Sequence, residues 1–145
     1  MNLSPHFTLA EMTRTSSGIK NEPGPTHIEN LRALCEELLE PLRAALGAPV
    51  RVTSGYRDAL VNARIGGAKN SRHMLGLAAD IKSPAGDAAH ILRVLHHLDL
   101  LELDQAIGYD SGLGGQVHIG LAPVGVTPRR QYLWRDADGY RAWRP

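Results

Sequence analysis

The chain has 145 residues, 43% hydrophobic and 21% charged, with a formal net charge of +1. That length fits one domain with its own core, and the near-neutral balance provides no field that would draw nucleic acid. The only cysteine, Cys35, excludes an intramolecular disulfide and any metal site built from several cysteines. No run of ~18 apolar residues is available to span a membrane. Met1 to Ala10 lack the basic region and apolar stretch of a signal peptide, so synthesis in the cytoplasm is expected.

Thr8-Leu9-Ala10-Glu11 reads as a capping box opening a short helix. Ser16 to Pro25 is a loop by composition. A second capping box, Thr26-His27-Ile28-Glu29, is expected to start the strongest helix, because Ile28, Leu31, Leu34, Cys35, Leu38, Leu39, Leu42 and Leu46 recur at helical spacing. Pro41 inside that pattern predicts a kink or break near Glu40, and Gly47 a C-cap. In this setting Cys35 reads as a small buried hydrophobe.

Val50 to Ser54 alternates and is β-branched, which predicts a strand ended by Gly55. Asp58 caps a short helix running to Ile65, Ala78 to Ile81 is a short buried strand, and Asp87 caps a helix to Leu98. Two further strands are expected near Gln105 to Tyr109 and Gln116 to Leu121, then one around Tyr132 to Trp134, with Asp138-Gly139 as a hairpin turn. Helices first and a small, mostly antiparallel sheet later make the class α+β. The reading is one domain over residues 1–145, in which 122–145 form a C-terminal extension.

The chemistry concentrates in Ser71-Arg72-His73-Met74-Leu75-Gly76-Leu77-Ala78-Ala79-Asp80 and, far downstream, Val117-His118-Ile119. His73, Asp80 and His118 are groups able to hold one zinc ion while leaving a fourth position open, the arrangement of catalytic rather than structural zinc sites. A carboxylate at Asp80, ending an apolar stretch, is costly to bury unless paired or metal-bound. Taken alone, the same residues also fit a hydrogen-bonded His73–Asp80 pair and a core histidine at 118. His6, His27, His90, His96 and His97 read as structural or solvated.

Ser54-Gly55-Tyr56-Arg57, Ser71-x-His73-x-x-Gly76-x-Ala78-x-Asp80 and Val117-His118-Ile119 together resemble the M15 zinc peptidases, D-Ala-D-Ala carboxypeptidases and endolysin-like enzymes that cut peptidoglycan stem peptides. The opening Leu3 to Glu11 and Leu39-Glu40-Pro41-Leu42-Arg43 are similar to the phage-associated branch of that group, so the likeness covers residues 3 to 121. It implies N-terminal helices packed on a sheet that carries the metal, as in DD-peptidases and Hedgehog-like folds. It makes His73, Asp80 and His118 the Zn2+ ligands, Arg57 the arginine near the substrate carbonyl or carboxylate, and Ser71 a substrate-binding or loop-capping serine. The structural alternative for Arg57 is a salt bridge anchoring the following loop.

One departure affects the mechanism. Many M15 enzymes carry an acidic general base three residues before the last histidine, and here that position is Gly115, followed by Gln116. Asp110 is the nearest carboxylate and is assigned the base role, with Asp104 as the fallback and Tyr109 as a hydrogen-bonding substrate contact. The resemblance implies a phage or prophage endolysin acting on the cell wall after release. Two other readings are a non-catalytic wall-binding or phage structural module and a cytosolic D-Ala-D-Ala dipeptidase. The tail arginines, Arg129, Arg130, Arg135, Arg141 and Arg144, with Trp134 and Trp143, read either as a solvated basic face over packed tryptophans or as a contact to an anionic wall or membrane.

Overall fold

The computed structural model describes residues 1–145. A two-strand ribbon of β1 (Asn2–Ser4) and β2 (Phe7–Thr8) leads into α1 (Leu9–Thr13). Alternation over so few residues is too short to signal a strand, and this ribbon was not foreseen. Thr8 caps α1 as expected: its hydroxyl accepts the Glu11 N–H at 3.2 Å, and the Glu11 carboxylate accepts the Thr8 N–H at 2.7 Å.

The second capping box does not form. α2 (Pro25–Leu34) begins with Gly24 as its N-cap, and His27 Nδ1 accepts the Gly24 N–H at 3.1 Å. Pro25 supplies the fixed φ of a first helical residue and moves the start ahead of Thr26. The break expected near Glu40 is a π-helical segment, Cys35–Leu39, in which the Glu40 N–H reaches back to the Cys35 carbonyl. Pro41 has no N–H for the Glu37 carbonyl and would clash with it in an unbroken α-helix, so the preceding turn widens. α3 (Glu40–Leu46) continues from there and ends on Gly47 at φ 63°. Along this run Leu31, Leu34, Cys35, Leu38, Leu39 and Leu42 are completely buried. Burial, reinforced by the charges of Glu11 and Glu40, pushes the Cys35 thiol up to about 12, so it behaves as a hydrophobe.

The main sheet has six strands in the order β3 (Arg51–Ser54), β4 (Ala78–Lys82), β6 (Val117–Leu121), β5 (Leu103–Tyr109), β7 (Gln131–Asp136) and β8 (Gly139–Ala142). Every pairing is antiparallel except β5 with β7, which is parallel, so the sheet is mixed and the α+β class holds. α4 (Ala59–Arg64) and α5 (Ala88–Leu98) carry the expected aspartate caps, Asp58 and Asp87. One sheet face, with Ala79, Ile81, Val117, Ile119 and Ala106, packs on the helices in a single buried cluster. The hairpin turn sits one residue earlier than read: Asp136 pairs with Gly139, leaving Ala137 and Asp138 between them, and Gly139 takes the φ of 119°. No helix is long and apolar enough to cross a membrane.

Asp104 is not free for proton transfer. Its side chain is 3% exposed and is held by Arg129, whose Nη2 lies 2.8 Å from Oδ2. Burial would raise this carboxyl, but the Arg129 hydrogen bonds outweigh it and lower it below the usual value. A lowered folded-state value means the stabilisation is present above the ordinary Asp pKa of ~3.9 and is lost as pH falls through the folded value. Asp104→Asn is therefore expected to cost about 1–3 kcal/mol at pH 7 and to make acid denaturation below pH ~4 less steep, as read by urea titrations over a pH series.

Candidate metal centre

The site is assembled from four elements. Asp80 lies mid-strand on β4 and pairs directly with His118 on β6, which places both side chains on the sheet face away from the helices. Ser54, at the end of β3, pairs with Asp80 from the other side across a register irregularity. His73 comes from a 3-10 turn, Arg72–Leu75, that runs into β4. Ser71 caps this turn, its hydroxyl accepting the His73 N–H at 3.2 Å.

Close backbone approach holds that turn in place. The Gly55 carbonyl accepts a hydrogen bond from His73 Nδ1 at 2.7 Å, Arg57 N–H reaches the His73 carbonyl, and Tyr56 N–H reaches the Met12 carbonyl. A Cβ at Gly55 would stand 2.3 Å from the Met12 oxygen. Gly76 ends the turn at φ 75°, and a Cβ there would meet the His27 oxygen at 2.6 Å. The glycines of both motifs thus answer to packing as well as to conformation.

The three ligand-type residues converge. His73 Nε2 lies 3.3 Å and His118 Nδ1 3.1 Å from Asp80 Oδ1, and the donor atoms of the set all fall within 4.8 Å of one another. His73 is buried, with Nδ1 committed as a donor to Gly55, so Nε2 is the nitrogen left with a lone pair facing the cluster. Two imidazole nitrogens and one carboxylate oxygen on a single focus form a donor set suited to Zn2+.

Arg57 closes the site from behind. Nη2 donates to Asp80 Oδ2 at 3.2 Å, Nε to Ser54 Oγ at 3.0 Å and Nη1 to Asn62 Oδ1 at 3.3 Å. It thereby orients the carboxylate whose other oxygen faces the imidazoles. Of the five N–H donors of a guanidinium, these three bonds leave two. Burial would raise the Asp80 carboxyl, but the hydrogen bond from His118 and the proximity of both imidazoles hold it well below the usual range. Burial lowers the Arg57 guanidinium, with Asp80 opposing.

The other sequence-nominated residues are placed differently. Tyr109, on β5, shares the face of His118, and its hydroxyl lies 3.4 Å from that of Tyr140. Burial raises this phenol first, the Tyr140 contact and the Asp80 charge adding to it. Asp110 begins the turn after β5, one carboxylate oxygen accepting the Gly112 N–H at 3.2 Å. Asn62 was missed: it is 4% exposed and ties Arg57 to the Ala68 carbonyl. An amide on the inward face of a capped helix was the available signal.

Zinc is expected to raise the melting temperature of the full chain with a saturable dependence on metal concentration. Asp80→Asn and His118→Ala should each abolish that shift, measured by scanning calorimetry with and without chelator. An unchanged shift in both variants would place the metal elsewhere.

Comparison with known proteins agrees with this geometry. Over 80 aligned residues the chain is 38% identical to the zinc D-Ala-D-Ala carboxypeptidase of Streptomyces albus G, an alignment covering 52% of this chain and 31% of the relative. The chain thus matches less than a third of that relative's length. The pattern of the peptidase M15 family matches residues 5–116, which contain Arg57, His73 and Asp80 and stop just before His118. This chain belongs to the peptidase M15 family.

Proposed function

We propose that this protein is a zinc-dependent peptidase that hydrolyses amide bonds in the stem peptides of peptidoglycan. The observation that carries the reading is the convergence of His73, Asp80 and His118 on one focus, with Arg57 bonded to the far oxygen of Asp80. The carboxypeptidase activity named for the Streptomyces relative supports it. A zinc ion held by the three side chains supplies Lewis acidity, which makes water nucleophilic near neutral pH.

The chain's own residues supply positioning and proton transfer. The two remaining N–H donors of Arg57 are suited to a substrate carbonyl oxygen or carboxylate and stabilise the negative charge that develops as the amide is attacked. Asp110 takes the proton of the attacking water and returns it to the leaving amine; its Oδ2 holds the Gly112 N–H, and Oδ1 has no protein hydrogen-bond partner. Tyr109 donates a hydrogen bond to bound peptide. Ser71 accepts from His73 and keeps its own O–H for the substrate. We further propose a phage or prophage endolysin that meets the wall after release.

A zymogram on purified peptidoglycan should show clearing that chelator removes and zinc restores. Zinc-loaded protein that leaves every stem peptide intact would defeat the enzyme reading, and rapid cleavage of free D-Ala-D-Ala with untouched sacculi would redirect it to a dipeptidase. Asp110→Asn is expected to lower kcat about 10²-fold or more with zinc stoichiometry unchanged. If Asp110→Asn stays active while Tyr109→Phe does not, proton transfer runs through the Tyr109 side of the cleft. Arg57→Ala is expected to lower kcat/KM by about 10²–10³-fold.

A further inference from the structure

The open face of the sheet does not stop at the metal centre. His118 pairs with Ile107 on β5, and Ile107 with Leu133 on β7, so one row of side chains runs from the site into the C-terminal hairpin. One step along the strands, Tyr109 pairs with Arg135, and Arg135 pairs across β8 with Tyr140. The Arg135 guanidinium stacks 5.0 Å from the centroid of the Tyr140 ring, and the Tyr140 hydroxyl meets that of Tyr109. Opposite-face residues Tyr132, Trp134 and Trp143 pack on the core and pin the hairpin down.

Of the five tail arginines, Arg135 and Arg144 lack a carboxylate partner within ion-pair distance, and of these two only Arg135 lies on a sheet strand, on the face of the metal centre. Arg129 is paired with Asp104, Arg130 with Asp99 and Arg141 with Asp136, whereas Arg135 has no carboxylate partner and bonds only the Asp136 carbonyl. A half-buried cation, held by an aromatic ring and without a close ion pair on the site's own face, is suited to receive a carboxylate. From β6 to β7 is two strand spacings, ~10 Å, and with the step along the strand Arg135 stands roughly 12 Å from His118 at the backbone. An extended peptide covers that distance in about three or four residues.

We infer that the β7–β8 hairpin is the far arm of the substrate cleft and that Arg135 determines specificity by binding a carboxylate on the peptide about three residues from the bond to be cut. This rests on the peptidase reading above. The hairpin lies beyond residues 5–116, the part of the chain that matches the family, so the preference belongs to this chain's own extension. Arg135 touches no reacting atom, and its effect should fall on binding rather than on turnover.

The test uses the zinc-loaded full chain and two stem peptides with the same scissile bond. One keeps its internal carboxylates; in the other these are primary amides, with the terminus unchanged. Calorimetric Kd values and KM are expected to favour the acidic peptide about tenfold in the wild type. Arg135→Gln should erase the preference by weakening the acidic peptide alone, with kcat and zinc stoichiometry unchanged, and Arg135→Lys should keep part of it. Equal affinity of the wild type for both peptides, or an equal loss for both in Arg135→Gln, overturns the inference while leaving hydrolysis intact. Conversely, a binding preference without cleavage of either peptide would sink the peptidase reading, and with it the placement relative to a scissile bond, while leaving Arg135 as a carboxylate-binding residue. The wild-type comparison needs no variant to fold.

Discussion

One carboxylate organises the protein. Asp80 lies in the middle of a sheet whose neighbouring residues, Ala79 and Ile81, are completely buried, and an ionised group there is costly unless its oxygens are satisfied. Oδ1 faces the two imidazoles and Oδ2 faces Arg57. These partners come from β6, from the turn before β4 and from the segment after β3. Satisfying Asp80 therefore requires the strand order β3-β4-β6 and brings distant parts of the chain to one point.

The backbone around Asp80 is built for close approach. Gly55 lies against the end of α1 and Gly76 against α2, while the Gly55 carbonyl holds His73 in the tautomer that leaves Nε2 facing the cluster. Asn62 steadies Arg57 from α4. Helices that share no ligand with the site thus set its dimensions through van der Waals contact and backbone hydrogen bonds. The core is correspondingly one-sided: helices cover one sheet face, and the other is left for chemistry.

That open face also gives the C-terminal extension a place in the architecture. β7 joins β5 in parallel and β8 returns beside it, with their aromatic residues on the core side and Arg135 on the side of the metal centre. The tail arginines do not act as one basic patch. Three of them, Arg129, Arg130 and Arg141, are neutralised by aspartates, which explains why their number alone said little about a wall or membrane contact. The β5–β7 pairing escaped sequence reading because parallel partners are joined by no hairpin signal.

Local signals carried much of the fold. Thr8, Asp58 and Asp87 cap their helices because each side chain bonds an N–H a few residues away, and Leu31 to Leu42 are buried because their spacing puts them on one helical face. The alternation of Val117-His118-Ile119 likewise determined that His118 would face away from the core. Where two local signals competed, the sequence was ambiguous: Pro25 displaced the Thr26 cap, and Pro41 was absorbed by a π segment. The metal-ligand residue types and the glycines between them were legible because they sit in compact motifs. Only the tertiary structure decided that Asp104 belongs to Arg129, that Asp110 spends one oxygen on a turn, that Asn62 supports Arg57, and that Arg135 stands unpaired beside Tyr109. Each depends on which strands become neighbours, and strand order follows from satisfying buried polar groups across the whole sheet rather than from any short stretch of sequence.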